Sequence, residues 1–282
     1  MNDKYFLYID ILAFAGLVDK NPAKIEQIFE AINRLNAHKD QAFKTIAFSD
    51  TILIYNLQDP INEEQHEQIV MLLCEFASDL LMWAIKLDFQ FRAVLLSGDF
   101  HYERKEHIEA YYGNALIRAY NKEKEITGMG LFIAKDIAHL NTCYRMVPFD
   151  KDLNFVFVTQ GLRDLNFFGP GDLPVDFTLL EGPTPTYLAI EISMLKDLKK
   201  NIDTLEDAKV RAKFLQTYHL YKAHYHWLVE PLEKADFDPT IICSKVDWKD
   251  STADWWKLDD ADDASEVENS RKAEKNSKRK QK

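Results

Sequence analysis

Two aspartates, Asp10 in Tyr8-Ile9-Asp10-Ile11-Leu12-Ala13-Phe14 and Asp50 in Ala47-Phe48-Ser49-Asp50-Thr51-Ile52, are the residues whose type and setting could do chemistry. Residues 4 to 9 read as a buried strand, and Asp10 falls near its end with more apolar chain following. A carboxylate in such a place is costly unless something satisfies it. Thr45 to Phe48 and Thr51 to Tyr55 read as two strands joined tightly through Ser49 and Asp50, which puts Asp50 at a hairpin tip. If the two strands are neighbours in one sheet, both carboxylates reach a common pair of hard cations, which favour oxygen ligands and bridge phosphates. The plainer alternative is that Asp10 caps a turn and Asp50 is ordinary hairpin chemistry.

The elements that must position these residues follow from periodicity and punctuation. Asn21-Pro22 starts a helix, with Asn as N-cap and Pro in the first helical position, and Ile25, Ile28, Phe29, Ile32 and Leu35 make its apolar face. Residues 63 to 86 form a long helical pattern, a strand runs from Phe89 to Leu96 before Ser97-Gly98, and a polar segment covers 101 to 109. A helix from about Gly113 to Glu125 and a strand from Leu131 to Ala134 follow. This order, β-α-β-β-α-β-α-β, begins as the split βαβ of a ferredoxin-like sheet, an α+β class with helices on one face. Residues 152 to 158 suggest one more strand, 165 to 186 are rich in Gly and Pro, and Tyr187 to Ala235 read as two helices broken near Asn201-Ile202-Asp203. From about Thr252 an acidic block precedes a basic one, a composition that predicts disorder. The expected organisation is a core over 1–140, a strand, loop and helical extension over 141–250, and a charged tail over 251–282.

Composition narrows the function classes. A chain of 282 residues with 46% apolar content has ample material for a packed core. A formal net charge of −11 argues against a sequence-independent nucleic-acid surface, while a small anionic substrate held through metals stays open. Cys74, Cys143 and Cys243 are odd in number and widely spaced, which reads as reduced thiols. The apolar run after Met1-Asn2-Asp3-Lys4 is too short for a membrane span, and the expectation is a cytoplasmic protein with no membrane or nucleic-acid partner. His219, His224 and His226 read as surface or core histidines, since on one helix only the first and last share a face.

The segments together resemble the catalytic domain of the class III nucleotidyl cyclases, a ferredoxin-like or palm-type fold, over roughly residues 4 to 136. That family carries a metal aspartate followed by a Phe, matched by Asp10 and Phe14, and a second in the next hairpin, matched by Ser49-Asp50. Arg92-Ala93-Val94-Leu95-Leu96-Ser97-Gly98 is similar to its R-hydrophobic-G-hydrophobic-x-x-G strand, Tyr112-Gly113 to its aromatic-Gly helix start, and Gly130 to Lys135 to its closing strand. The resemblance implies two Mn²⁺ or Mg²⁺ ions held by Asp10, Asp50 and the Ile11 carbonyl, with the amides of Ala13, Phe14 and Ala15 on the phosphates. It also implies a head-to-tail homodimer in which Arg92 and the 113–125 helix, with Tyr112, Asn114 and the catalytic candidate Arg118, reach the site from the partner.

The departures shape the substrate expectation. Purine cyclases read adenine with a Lys and an Asp at positions held here by Ile46 and Ala110, and the family's helix Asn and Arg fall on Ile117 and Asn121. Asn114, Arg118 and Asn121 share a helix face instead. With both metal aspartates kept and the base readers changed, the chain is most similar to the bacterial pyrimidine cyclases of Pycsar anti-phage defence. That resemblance implies conversion of UTP or CTP to cyclic UMP or cyclic CMP, and a separate effector that senses the product. A purine cyclase or other palm-type nucleotidyl transferase, and an inactive cyclase-like scaffold, stay open as alternatives.

Overall fold

Tyr5 to Ile9 are all buried, so the first strand is covered on both faces and the rest of the sheet is built outward from it. The computed structural model describes residues 3–35, 42–168, 173–175 and 184–249. The expected tail, and most of the Gly- and Pro-rich 165–186 segment, lie outside them. In chain order the elements are β1 (Asp3–Ile11), α1 (Phe14–Lys20), α2 (Pro22–Arg34), β2 (Phe43–Phe48), β3 (Thr51–Asn56), α3 (Glu63–Lys86) and β4 (Phe91–Asp99). Then come β5 (His101–Arg104), β6 (Glu109–Tyr112), α4 (Asn114–Glu125), β7 (Gly130–Ala134), β8 (Arg145–Pro148) and β9 (Leu153–Phe157). Four more helices close the described chain: α5 (Gln160–Phe168), α6 (Thr184–Thr204), α7 (Ala208–His224) and α8 (His226–Lys234).

Seven strands form one sheet in the order β2-β3-β1-β4-β7-β9-β8. The first four pair antiparallel with β3 inserted between β2 and β1, which is the ferredoxin-like arrangement that the order of helices and strands predicts. β7 then joins β4 in parallel and β9 and β8 extend the sheet antiparallel, so the class is α+β with a mostly antiparallel sheet flanked by helices. Phe6, Leu7, Ile9 and Ile11 are at most 1% exposed. Each contributes roughly 1.5–3 kcal/mol through apolar burial.

The pairing register sorts side chains onto the two faces. Tyr5, on one face, meets His66 of α3 edge to face at 5.6 Å between ring centres. Asp10 and Arg92 are directly paired and share the other face, where Arg92 bonds to Glu123 of α4. α7 lies on this second face as well, its Tyr221 packing edge-on against Phe155 and Phe157 of β9. Helices therefore flank the sheet on both faces, with α3 on one and α4 and α7 on the other. α3 is long and apolar enough to cross a membrane, and Leu73, Phe76, Ala77 and Leu80 on it are fully or almost fully buried.

Several boundaries move for physical reasons. The polar 101–109 segment becomes the two-stranded ribbon β5-β6, held by cross-strand aromatic pairs such as Tyr102 with Tyr111 at 5.0 Å, which alternation alone did not reveal. α5 occupies 160–168 at the edge of the Gly- and Pro-rich stretch, because Glu191 of α6 accepts the Gly161 and Leu162 amides at 3.0 and 2.7 Å and caps it from afar. Between α6 and α7 the break falls at 205–207, where Asp207 caps the next helix through Lys209 and Val210, and a third helix, α8, follows. The chain divides into two compact units, one of Met1–Thr159 with Asp197–His224, the other of Gln160–Lys196 with the chain from Tyr225 on. The first unit thus continues past residue 140 and takes in α7.

Gly113 sets the start of α4: its φ is +147°, and a Cβ there would lie 2.3 Å from the Asp99 carbonyl oxygen and 2.8 Å from the Phe100 Cα. Gly113→Ala is expected to cost at least ~2 kcal/mol in urea denaturation, because backbone rather than a movable side chain blocks it. In Gly16→Ala the new Cβ meets nothing within 4 Å on a helix, and a gain of about 0.5–1 kcal/mol is expected instead.

Candidate active site

Four strands bring one row of side chains to the end of the sheet: Phe48 pairs with Thr51, Thr51 with Asp10, and Asp10 with Arg92. Asp50 adjoins this row in the two-residue turn between β2 and β3, where Ser49 takes the left-handed conformation at φ 56° that a tight hairpin needs. The Ile11 amide donates to the Asp50 carbonyl oxygen at 2.9 Å, which ties the hairpin tip to the end of β1. The two aspartates predicted to converge are thus brought together by main-chain hydrogen bonds. Both are half-buried.

Their charge environment is explicit. Burial pushes the Asp10 carboxyl up to about 6, the negative charges of Glu123 and Asp50 add to the rise, and Arg92 and Lys213 oppose it. Tyr8, two residues before Asp10 and on the same face, places its hydroxyl 3.5 Å from the Thr51 Oγ1, and burial raises its pKa too. Arg92 is only 4% exposed and is taken up within its own chain. Its Nη1 donates to the Glu123 carboxylate and, at 2.7 Å, to the Glu123 carbonyl oxygen, while its Nε donates to the Gly128 carbonyl oxygen at 3.1 Å. The expectation that Arg92 approaches substrate from a partner is therefore corrected: its register places it beside Asp10 of the same chain, and a buried carboxylate holds it.

The remaining predicted residues fall into two groups. Ala13, at φ 59°, precedes α1, and the first helical hydrogen bonds run from Gly16 and Leu17 to its carbonyl, so the Phe14 and Ala15 amides stand ahead of them. The Phe14 ring is buried edge-on against Phe29 at 6.2 Å, so only its backbone is available there. Arg118 is anchored elsewhere, with Nη1 on the Ser97 carbonyl oxygen at 3.0 Å and Nη2 on Asp136 at 3.2 Å. Ser97 is five positions along β4 from Arg92, about 16 Å at strand rise, so one chain does not bring Arg118 to Asp10. Asn114, exposed at the head of α4, and Tyr112, whose ring stacks on His101 at 5.1 Å, belong to that distant group.

Sequence reasoning missed Glu123, Tyr8, Thr51 and Lys213. Tyr8 carried a signal, since spacing by two from Asp10 puts it on the same strand face. Among the described residues no cluster of three or more His, Cys, Asp or Glu side chains converges on a metal position. The carboxylates of Asp10 and Asp50 are nevertheless the oxygen donors that a hard divalent cation takes, and their two like charges account for part of the raised Asp10 pKa.

Two outcomes follow from these contacts. Because the folded pKa of Asp10 lies above its ordinary 3.8, its contribution to stability is present below that value and is lost as pH rises toward about 6. Asp10→Asn is expected to raise the Tm by about 2–4 °C at pH 7.5, the size discounted for a half-exposed group, with the gain vanishing near pH 4. Arg92→Met leaves Glu123 buried without its cation and is expected to cost ~3–5 kcal/mol, most of it recovered in the double variant with Glu123→Leu.

No family model matches the chain, and no curated protein matches it. Solved structures with a similar fold include the adenylyl cyclase CyaB from P. aeruginosa, at 8% identity and a TM-score of 0.43 over 55% of this chain and 93% of that one. A dimeric guanylyl cyclase domain from Blastocladiella emersonii matches at 14% identity and a TM-score of 0.44 over 55% of this chain and 94% of that one. The guanylate cyclase domain of RhGC from Catenaria anguillulae, solved with GTP, matches at 11% and 0.43 over 55% of this chain and 96% of that one.

Proposed function

We propose that the chain is a metal-dependent nucleotidyl cyclase that converts UTP or CTP to the 3′,5′-cyclic monophosphate and pyrophosphate. The observation that carries this reading is the convergence of Asp10 and Asp50 at one end of the sheet, held by the bond between the Ile11 amide and the Asp50 carbonyl. In the reaction the ribose 3′-oxygen bonds to the α-phosphorus, the bond to the β-phosphate oxygen breaks, pyrophosphate carries away that electron pair, and the hydroxyl proton passes to water. Divalent cations bound by the two carboxylates supply charge neutralisation and acidify the hydroxyl. The Phe14 and Ala15 amides, ahead of the first helical hydrogen bonds, orient the phosphates. Arg118, about 16 Å away along the sheet, serves the same site from a second copy of the chain together with Asn114 and Tyr112, which makes the working form a homodimer.

Base choice rests on what the pocket lacks. Ile46 is half-buried in the strand row next to that of Asp10, opposite Leu53, and Ala110 lies on β6 opposite Glu103. Neither side chain offers the donor and acceptor pair that a purine edge requires, and a polar edge left unpaired is discriminated against strongly. The Tyr8 and Thr51 hydroxyls, on the same face of the sheet as Ile46, provide hydrogen-bonding capacity close to the sheet for a smaller pyrimidine ring. By the same resemblance, the cyclic product is a signal read by a separate effector in anti-phage defence.

Incubation of the purified chain with each of the four nucleoside triphosphates and Mn²⁺, followed by mass identification of products, tests both levels of the reading. Cyclic UMP or cyclic CMP is expected at least tenfold above either purine product in kcat/KM, about 1.4 kcal/mol of preference. Asp10→Ala and Asp50→Ala are each expected to fall below about a hundredth of the parent rate while staying folded, since several kcal/mol of charge stabilisation is removed. Comparable turnover of ATP rejects the pyrimidine assignment, and no cyclic product from any triphosphate rejects the cyclase.

A further inference from the structure

The charges that act on Asp10 include one from far outside the segments that carry the family resemblance. Lys213 stands on α7, and the Asp10 and Glu123 carboxylates and the Arg92 guanidinium all influence it. α7 is fixed at this place by Thr217, whose Oγ1 accepts the Met129 amide at 2.8 Å and donates to the Lys213 carbonyl oxygen at 3.1 Å. Gly128, at the same turn, accepts from Arg92 through its carbonyl oxygen at 3.1 Å. Lys213 is one helical turn before Thr217 and on the same side of α7, and Thr217 is bonded to Met129, whose neighbour Gly130 pairs with Arg92 and through it with Asp10.

Its ammonium is left over in the local charge balance. Arg92 is spent on Glu123, and among the described residues no carboxylate stands within ion-pair distance of the half-buried Lys213. Burial is the first cause that lowers its pKa and the Arg92 charge the second, with Asp10, Glu123 and Asp207 opposing them. A cation placed there without a partner is costly in the free protein and becomes useful when an anion arrives. Cations bound at Asp10 and Asp50 would repel Lys213 from the carboxylates and leave an excess of positive charge, which a chain of phosphate oxygens matches. The flexible stem and compact charge of lysine suit a ligand whose phosphates shift during reaction.

We propose that Lys213 binds the phosphates of a nucleoside triphosphate, so that α7 supplies part of the substrate site in the same chain as Asp10 and Asp50. The proposal rests on the cyclase reading for the identity of the nucleotide, and on the geometry of α7 for the phosphates. A purely neutralising role predicts a change in stability without selective loss of phosphate binding, so the decisive readout is affinity. Titration calorimetry of the full chain in Ca²⁺, with inorganic tripolyphosphate, UTP and uridine as probes, is expected to show at least tenfold weaker binding of the first two in Lys213→Met. Uridine binding should be unchanged in that variant, and Lys213→Arg should stay within about threefold of the parent. Equal tripolyphosphate affinity in Lys213→Met overturns the proposal. Should that variant not fold, amine acetylation of the parent chain decides: Ca²⁺ with tripolyphosphate is expected to slow modification of Lys213 at least fivefold and leave exposed Lys200 unaffected, and equal rates at Lys213 overturn it. A parent chain that binds tripolyphosphate through Lys213 but makes no cyclic nucleotide keeps this inference and rejects the cyclase. Cyclic product formed with unchanged KM by Lys213→Met does the reverse.

Discussion

The buried ion pair between Arg92 and Glu123 is the interaction on which the arrangement of the site depends. Arg92 belongs to a strand whose residues from Phe91 to Leu96 are all buried, and a guanidinium there is tolerable only with its donors engaged. Glu123 answers it with both side chain and main chain, and the Gly128 carbonyl completes the set. The pair thereby binds the end of α4 and the turn after it to the middle of the sheet. It also shapes the charges around Asp10, which among the described residues has no cation at ion-pair distance.

That division explains why some charged groups near the row suit ligands and others do not. Arg92 and Glu123 satisfy each other and form a fixed background to the field at Asp10. Arg118 is similarly engaged, but at an exposed position where its bonds to Ser97 and Asp136 exchange readily with water or an incoming anion. Among the described residues, Asp10, Asp50 and Lys213 have no partner at ion-pair distance, and they come from β1, a hairpin turn and α7. Elements distant in sequence thus contribute one charge each to this region, while the sheet supplies pairings that hold β1 and the hairpin in place.

The sequence made the strand and helix order readable because its signals are local. Asn21-Pro22 marks a helix start, Ser49-Asp50 a tight turn, and residues 63 to 86 recur at helical spacing, and each appears where expected, with Asn21 accepting the Lys24 amide. The convergence of Asp10 and Asp50 was legible for the same reason, since a hairpin and a neighbouring strand leave few ways to pair. Long-range compensation was not legible. Nothing in the local pattern around Arg92 shows that Glu123, thirty-one residues on, takes its charge, or that Thr217 receives an amide from Met129 eighty-eight residues away. Pairing of the 101–112 ribbon was hidden too, because its exposed residues do not alternate in polarity.

If the proposed homodimer is the working form, the separation of Arg118 from Asp10 along β4 has a kinetic consequence. Where the complement of groups is complete only across two chains, the number of working sites follows the square of chain concentration while monomers predominate, and becomes proportional to it once pairing saturates. Specific activity then reports protein density rather than a fixed property of the molecule. In a cell such an arrangement would act as a threshold, silent at low expression and steep around the pairing constant.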